Sequence, residues 1–223
     1  SIVSNCKTEI HIKSFLSTSM NDKYDLVIGN PPYVRWKNLD NSLKRELDND
    51  LLWRTYFNSL CDYLYIFILK SVEHLKENGE LIFITPDYWF GTHHAKSLRG
   101  YLAKNGYFSD IFQFSETPIF DKVSSSIVIF KYIKNTSMSL APQYTKVTKY
   151  SSSKKLTEHD LENIKKGCGE SITTFTIKSF SNSQPWILAE DSIVDEINQL
   201  EESCLLPRSI SSLGSDLEYC SLG

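Results

Sequence analysis

Paired cysteines are missing from this chain of 223 residues. Cys6, Cys61, Cys168, Cys204 and Cys220 include no Cys-x-x-Cys pair and no histidine at zinc-ligand spacing. Neither a disulfide framework nor a metal centre is therefore expected, and the thiols read as reduced and structural. Also missing is any run of the ~18 apolar residues that a bilayer helix needs. Ser1 to Lys13 has no basic stretch leading into an apolar one, so no signal peptide is read there. These absences point to a soluble, cytoplasmic protein with no membrane partner. Repeats and low-complexity segments are lacking too, and so is a strong charge of either sign, the formal net charge being -3. That sum excludes little, because steering depends on where charge sits. What is present is 41% hydrophobic content on a length sufficient for one sizeable core.

Charge is spread unevenly. Between Asp121 and Glu170 nine lysines, Lys122 to Lys166, stand against five acids. The stretch is either a flank that meets phosphates or an ordinary solvated surface rich in lysine.

The apolar run Leu26, Val27 and Ile28 suits a buried parallel strand, with Gly29 as its exit. Leu39 to Asp50 is charged and only weakly periodic. Leu60, Leu64, Phe67, Ile68, Val72 and Leu75 are spaced for an amphipathic helix over Phe57 to Lys76, closed by Glu77-Asn78-Gly79 with Gly79 as its cap. Glu80 to Pro86 is a strand by its branched and aromatic content. Strand, helix and strand imply a crossover in a parallel sheet. Thr92 to Asn105 reads as a second helix with Gly106 past its end. Tyr107 to Phe114 and Ser126 to Ile133 read as a strand pair, joined by the loop Ser115 to Ser125 that presents Phe120. Beyond Lys134 come a connector over Asn135 to Pro142 and a strand over Gln143 to Tyr150. A helix over Thr157 to Lys166 follows, with Thr157 and Asp160 as a capping box. Phe175 to Phe180, Trp186 to Leu188 and a helix-like Asp191 to Leu200 complete the chain's readable pattern.

The most telling segment is Asp25 to Tyr33, a strand that stops at Asn30-Pro31-Pro32-Tyr33. Ligands of open α/β sheets bind at such strand ends. To alkylate an exocyclic amine, whose lone pair is delocalised into its ring, acceptors must grip the two N–H groups and hold the lone pair toward the electrophile. The Asn30 side-chain oxygen and the Pro31 carbonyl are such acceptors and add no competing donor. Pro32 fixes the turn, and Tyr33 offers a ring face worth roughly 1–3 kcal/mol against an unstacked base. No general base is required, since the amine sheds its proton after becoming cationic. The bland alternative is a turn after a strand, because Asn-Pro and Pro-Pro are ordinary loop punctuation.

In chain order, Tyr24 to Tyr33, Cys61-Asp62-Tyr63-Leu64-Tyr65, Gly79 to Pro86, Gly91-Thr92 and Leu98-Arg99 resemble one family: the N6-adenine DNA methyltransferases of restriction-modification systems. The likeness is strongest to the larger type II and type IIG enzymes, and it covers about Lys13 to Lys134, more faintly the rest. It implies an α/β class: a partial Rossmann-like sheet with flanking helices over residues 1–134, the later part of a catalytic domain. Residues 135–223 would then be a connector and a small α+β region leading to a target-recognition domain. It implies methyl transfer from S-adenosylmethionine to N6 of an adenine flipped out of double-stranded DNA. A restriction endonuclease domain or subunit in the parent protein is a further implied partner. By position, Asn30 and the Pro31 carbonyl would hold the amine, Pro32 would shape the corner and Tyr33 would stack on the base. Phe120 would cover the base's other face, unless it folds into the core. Ser14, Phe15 and Asn30 fall at cofactor contacts. Ser14 stands where the family usually has an Asp that reads the cofactor's adenine, and Phe15 matches the aromatic beside it. The family's glycine-rich loop and acidic strand end are expected upstream of Ser1, so the chain reads as a fragment inactive by itself. Leu206 to Ile210, Gly214 and Gly223 resemble the approach to the target-recognition domain.

Rival readings remain open at this stage. A methyltransferase acting on a protein glutamine or an rRNA base uses a similar corner, but tends to end soon after the catalytic sheet. A cytosine N4 enzyme more often has Ser where Asn30 stands, and a non-catalytic DNA-binding remnant would tolerate Ser14. Trp186 is read as a packing residue, and His93 and His94 as surface residues whose adjacency on a helix prevents joint metal binding. Asp62 and Tyr65 either brace the corner or cap and pack the following helix. Arg35 and Lys37 either meet phosphates or stay wet.

Overall fold

A computed structural model describes residues 8–17, 21–115, 117–119, 126–136, 143–180 and 182–203. Its spine is a six-stranded mixed sheet in the order β1-β2-β4-β3-β5-β6. The strands are β1 (Tyr24–Gly29), β2 (Leu75–Pro86), β3 (Gly106–Ser115), β4 (Ile127–Lys134), β5 (Tyr144–Ser151) and β6 (Ile172–Lys178). β1 runs parallel to β2, and β3 parallel to β5. The hairpin partner β4 lies antiparallel between β2 and β3, and β6 closes antiparallel on β5. The class is α/β, as the sequence pattern predicts, and the sheet runs unbroken past Lys134 through β5 and β6.

The helices are α1 (Asn41–Asn49), α2 (Leu51–Tyr56), α3 (Tyr63–Glu73), α4 (Lys96–Asn105), α5 (Glu158–Lys166) and α6 (Asp191–Ser203). α3 departs from the expected amphipathic helix over Phe57 to Lys76. It begins six residues later, where the Asp62 side chain accepts from Leu64 N–H, and all its residues except Phe67 and Glu73 are buried. Apolar side chains all round are the mark of a helix packed on every side, while Leu60, counted on its face in the sequence pattern, is 66% exposed outside it. The helix ends at His74, and Gly79 is not its cap. Asn78 takes the left-handed conformation at φ 62°, whereas a Cβ on Gly79 would stand 3.0 Å from the carbonyl oxygens of Lys76 and Tyr24. Gly79 is thus placed by close backbone approach.

Leu39 to Asp50, too charged to read as an element, holds α1. Asp40 and Asp50 cap α1 and α2 by accepting from Leu43 and Trp53 N–H at 2.8 and 2.9 Å, and Leu47 seals the inner face. The free Asp50 oxygen meets Lys70 of α3 at 2.6 Å in a nearly dry pair, so the helices α2 and α3 are tied through one carboxylate. The expected short element at Trp186 to Leu188 forms no strand. Trp186 N–H donates to Phe90 O at 2.8 Å, its indole donates to Asn182 O at 2.9 Å, and the ring stacks on Phe180, which confirms its packing role. Buried Arg99 holds this segment to α4. Its guanidinium donates to the carbonyls of Trp89, Thr92, Ser183 and Gln184 at 2.8–3.2 Å. Thr157 and Asp160 form the anticipated capping box on α5.

β1 also differs from expectation. It pairs only with β2 among the described residues, so Leu26 and Ile28 are 50% and 70% exposed and only Val27 packs inward. An interior parallel strand would be covered on both sides.

Candidate functional site

Gly29 is the last β1 residue in register, opposite Phe83, and the chain then leaves the sheet while β2 continues to Pro86. Pro31 is buried, Pro32 and Tyr33 are half-buried, and Asn30 is exposed. The chain after the corner is pinned to the start of α3: Tyr63 N–H donates to Val34 O at 3.0 Å, and the backbones of Arg35 and Asp62 form an isolated antiparallel bridge. The corner is therefore held at both ends, by a sheet on one side and a helix start on the other.

A hollow of about 230 Å³ opens beside it. Asn30, Pro31 and Pro32 form one side, and Phe15, Phe67 and Phe83 supply apolar walls. Phe15 and Phe67 stack at 5.1 Å. Ser71 of α3 also lines the hollow, with its hydroxyl buried and without a hydrogen-bond partner. Phe67 and Ser71 were not foreseen as site residues. Phe67 sits in the α3 apolar pattern and reads as core; the one signal for Ser71 was a small polar residue inside a mostly bulky, apolar helix. A second hollow, of about 470 Å³, continues along β1 past Phe15, Tyr24, Leu26 and His74. His74 there has Nδ1 at 3.0 Å from Asp22 O, and its Nε2 has no partner.

Of the residues foreseen, Asn30, Pro31, Pro32 and Phe15 meet at the smaller hollow. Ser14 is not among its lining residues: it is exposed, and its hydroxyl donates to Glu46 of α1 at 2.7 Å. Tyr33 does not line that hollow either. Its ring packs against the core, and its hydroxyl lies against the Asn30 carboxamide oxygen and 2.6 Å from Ile84 O of β2. Burial pushes the Tyr33 phenol up to about 12, so it keeps its proton at any physiological pH. Phe120 lies outside the described residues.

Across the corner, a third hollow of about 530 Å³ is bordered by Arg35, Lys37, Asp62, Tyr88, Thr92 and His94. Asp62 is buried, receives the Tyr88 hydroxyl and caps α3. Its carboxyl is pushed up from the ordinary value, desolvation outweighing the Tyr88 and Leu64 hydrogen bonds and the Arg35 charge. His93 and His94 are exposed, and no metal-binding cluster occurs among the described residues. No helix of the described residues is long and apolar enough to cross a membrane.

A mixed sheet with an Asn-Pro-Pro-Tyr corner at the end of a parallel strand defines the class, and solved structures share the fold. The type IIG restriction endonuclease BpuSI superposes with TM-score 0.55 at 19% identity, over 74% of this chain and 20% of that one. In sequence, the chain is 42% identical over 212 residues to the type II methyltransferase M.HindII of Haemophilus influenzae, covering 94% of this chain and 39% of that protein. M.HincII of the same species is 41% identical, over 92% and 39%. The chain thus spans about two fifths of the length of these relatives. The chain belongs to the Eco57I restriction-modification methylase family, whose pattern matches residues 2–120.

Proposed function

We propose that this chain is part of a DNA methyltransferase of a restriction-modification system, one that methylates N6 of an adenine turned out of duplex DNA. The observation that carries the reading is the Asn30-Pro31-Pro32-Tyr33 corner at the end of β1, with three of its residues lining a hollow of about 230 Å³. S-adenosylmethionine would supply a methyl group on a sulfonium. The hollow suits its purine ring: the walls Phe15, Phe67 and Pro32 are apolar, and the unpartnered Ser71 hydroxyl offers one polar contact. Asn30, which borders the same hollow, stands between that site and the base.

The reaction asks little acid–base work of the protein. Asn30 Oδ1 and the Pro31 carbonyl accept the two N–H groups of the adenine amine, which holds its lone pair toward the methyl group. Positive charge would develop on the amine nitrogen as its bond to the methyl carbon forms and the methyl–sulfur bond breaks, its electron pair leaving with a neutral thioether, and the same two oxygens would stabilise that charge. The nitrogen then loses a proton to water. Tyr33 and Phe120 are the aromatic faces for the extruded base. The region beyond Lys134 leads toward target recognition, and a restriction endonuclease acting on the same site is the expected partner. The relatives' names, type II methyltransferases, support this reading.

The test is methyl transfer from labelled S-adenosylmethionine to duplex DNA, with the full-length enzyme, followed by nucleoside analysis. Label is expected in N6-methyladenine and lost on Asn30→Ala by a factor of at least ~100, the scale set by removing one aligned transition-state contact. Label in cytosine, or in a release-factor glutamine offered as competitor, overturns the reading.

A further inference from the structure

Three groups meet at the corner, the Asn30 carboxamide, the Tyr33 hydroxyl and the Ile84 carbonyl, and one hydroxyl proton must be shared out among them. The Tyr33 hydroxyl lies against Asn30 Oδ1 and, at 2.6 Å, against Ile84 O. A phenol has one proton. Both neighbours in that arrangement are acceptors, so one contact would be oxygen against oxygen with nothing between them. The Ile84 carbonyl can only accept. It belongs to the stretch of β2 that runs past Gly29, where β1 no longer offers a strand partner, and the half-buried hydroxyl is the donor at hand. The Tyr33 proton therefore belongs to Ile84 O. What faces Asn30 is then a lone pair, which calls for a donor.

We infer that the Asn30 carboxamide is turned so that Nδ2 donates to Tyr33 Oη, leaving Oδ1 directed away from Tyr33 and free to accept. The two ends of a carboxamide have nearly the same size and shape, so only the hydrogen-bond network decides between them. Here the network has a fixed end, since a backbone carbonyl never donates. A chain of single direction results: Asn30 Nδ2–H to Tyr33 Oη, and Tyr33 O–H to Ile84 O. Tyr33 is on this account a positioning residue. It selects the one orientation of Asn30 in which the acceptor needed for an amine is presented before any substrate arrives. Without it the amide would turn freely, and half its orientations would offer an N–H group to the incoming N–H donors. The high phenol pKa, about 12, keeps the relay intact over the working pH range.

The inference rests on amine methylation as the site's chemistry, but it differs from the stacking role assigned to Tyr33 by resemblance. A ring face is retained in Tyr33→Phe, whereas the relay is not. Two measurements separate the cases. The first follows the Asn30 side-chain amide by 15N–1H spectroscopy in the full-length protein. In wild type, one Nδ2 proton is expected to exchange slowly with water, and Tyr33→Phe is expected to shift the resonance pair and to abolish that protection. The second is turnover on adenine-containing duplex at saturating DNA and cofactor. Tyr33→Phe is expected to lower kcat about tenfold, a positioning effect, with KM for DNA within about twofold. A wild-type amide without protection, an amide unaltered by Tyr33→Phe, or an unaltered kcat overturns the inference. If the wild-type enzyme transfers no methyl to adenine, the functional reading fails instead, and the amide spectrum alone decides the relay.

Discussion

Asp62 is the residue whose environment is most at odds with its charge. It is buried at the start of α3 and serves three neighbours: Leu64 N–H, the Tyr88 hydroxyl and the cation of Arg35. These favour the carboxylate, yet desolvation outweighs them and the folded pKa is raised. Because the folded value lies above the unfolded one, protonation of Asp62 favours folding. Its contribution is fully present below the unfolded value of about 4. It is lost as pH rises through the raised folded value. Asn at this position keeps the cap and still offers groups to Tyr88 but does not titrate. The stability of wild type minus that of Asp62→Asn, from urea denaturation at a series of pH values, should therefore fall as pH rises from about 4 and then level off. A difference that is flat, or that rises with pH, contradicts this account of the site. Arg99 makes the complementary case. It is a buried cation whose Nε and Nη1 donate to the four carbonyls of Trp89, Thr92, Ser183 and Gln184. The same burial holds its pKa below the usual arginine value.

At the scale of elements, the junction of α4 and β3 is the tightest point. A Cβ on Gly106 would stand 2.1 Å from the Ile133 carbonyl oxygen and 2.6 Å from the Tyr132 hydroxyl. The first is backbone in the neighbouring strand, and the second is itself donated to Leu102 O at 2.9 Å, so neither can yield cheaply. Gly106→Ala should cost about 3 kcal/mol, the upper range for forced overpacking, whereas Gly91→Ala, with open space around it, should change little. Thermal unfolding of the two variants side by side checks this, and equal effects would refute it.

That junction was legible in the sequence as a glycine past a helix, and so were β2 to β5, because branched and aromatic runs bounded by glycine and proline signal strands directly. What was not legible depended on distant partners. α1 shows only a weak period, Leu43 and Leu47 amid charged residues, and its existence rests on the caps Asp40 and Asp50 and on the sealed Leu47. The limits of α3 were hidden because a helix buried all round has no polar face to mark its ends. At the site, Asn30, Pro31, Pro32 and Phe15 were readable from local order. Phe67 and Ser71 come from a helix more than thirty residues later, and no local signal ties them to the corner. Nor could order alone show that Tyr33 reaches Ile84 O, since that contact spans the gap between two strands.

For the whole molecule, charge and edges matter most. Three of the nine lysines in the Lys-rich stretch are engaged within the fold: Lys131 pairs with Glu80 at 2.7 Å, Lys134 donates to the Val72 and Leu75 carbonyls, and Lys149 lies 5.6 Å from the centre of the Phe175 ring. The open edge of β1 is the more consequential feature. Leu26 and Ile28 present apolar surface beside a ladder with no strand on its outer side among the described residues, and the second hollow runs along the same edge. Such an edge is a template for pairing with another chain. The 223-residue chain by itself should associate in a concentration-dependent way through β1. Lysine at either position charges the surface flanking the edge and opposes stacking of two copies. Leu26→Lys and Ile28→Lys should each raise by about tenfold the concentration at which association sets in, roughly 1.4 kcal/mol of interface. Leu161→Lys and Ile193→Lys provide the control, since those side chains are comparably exposed, at 41% and 47%, but lie on helices away from β1 in sequence. Sedimentation velocity across a concentration series distinguishes the two pairs. If the helical substitutions suppress association as strongly as those on β1, general stickiness and not the strand edge drives it.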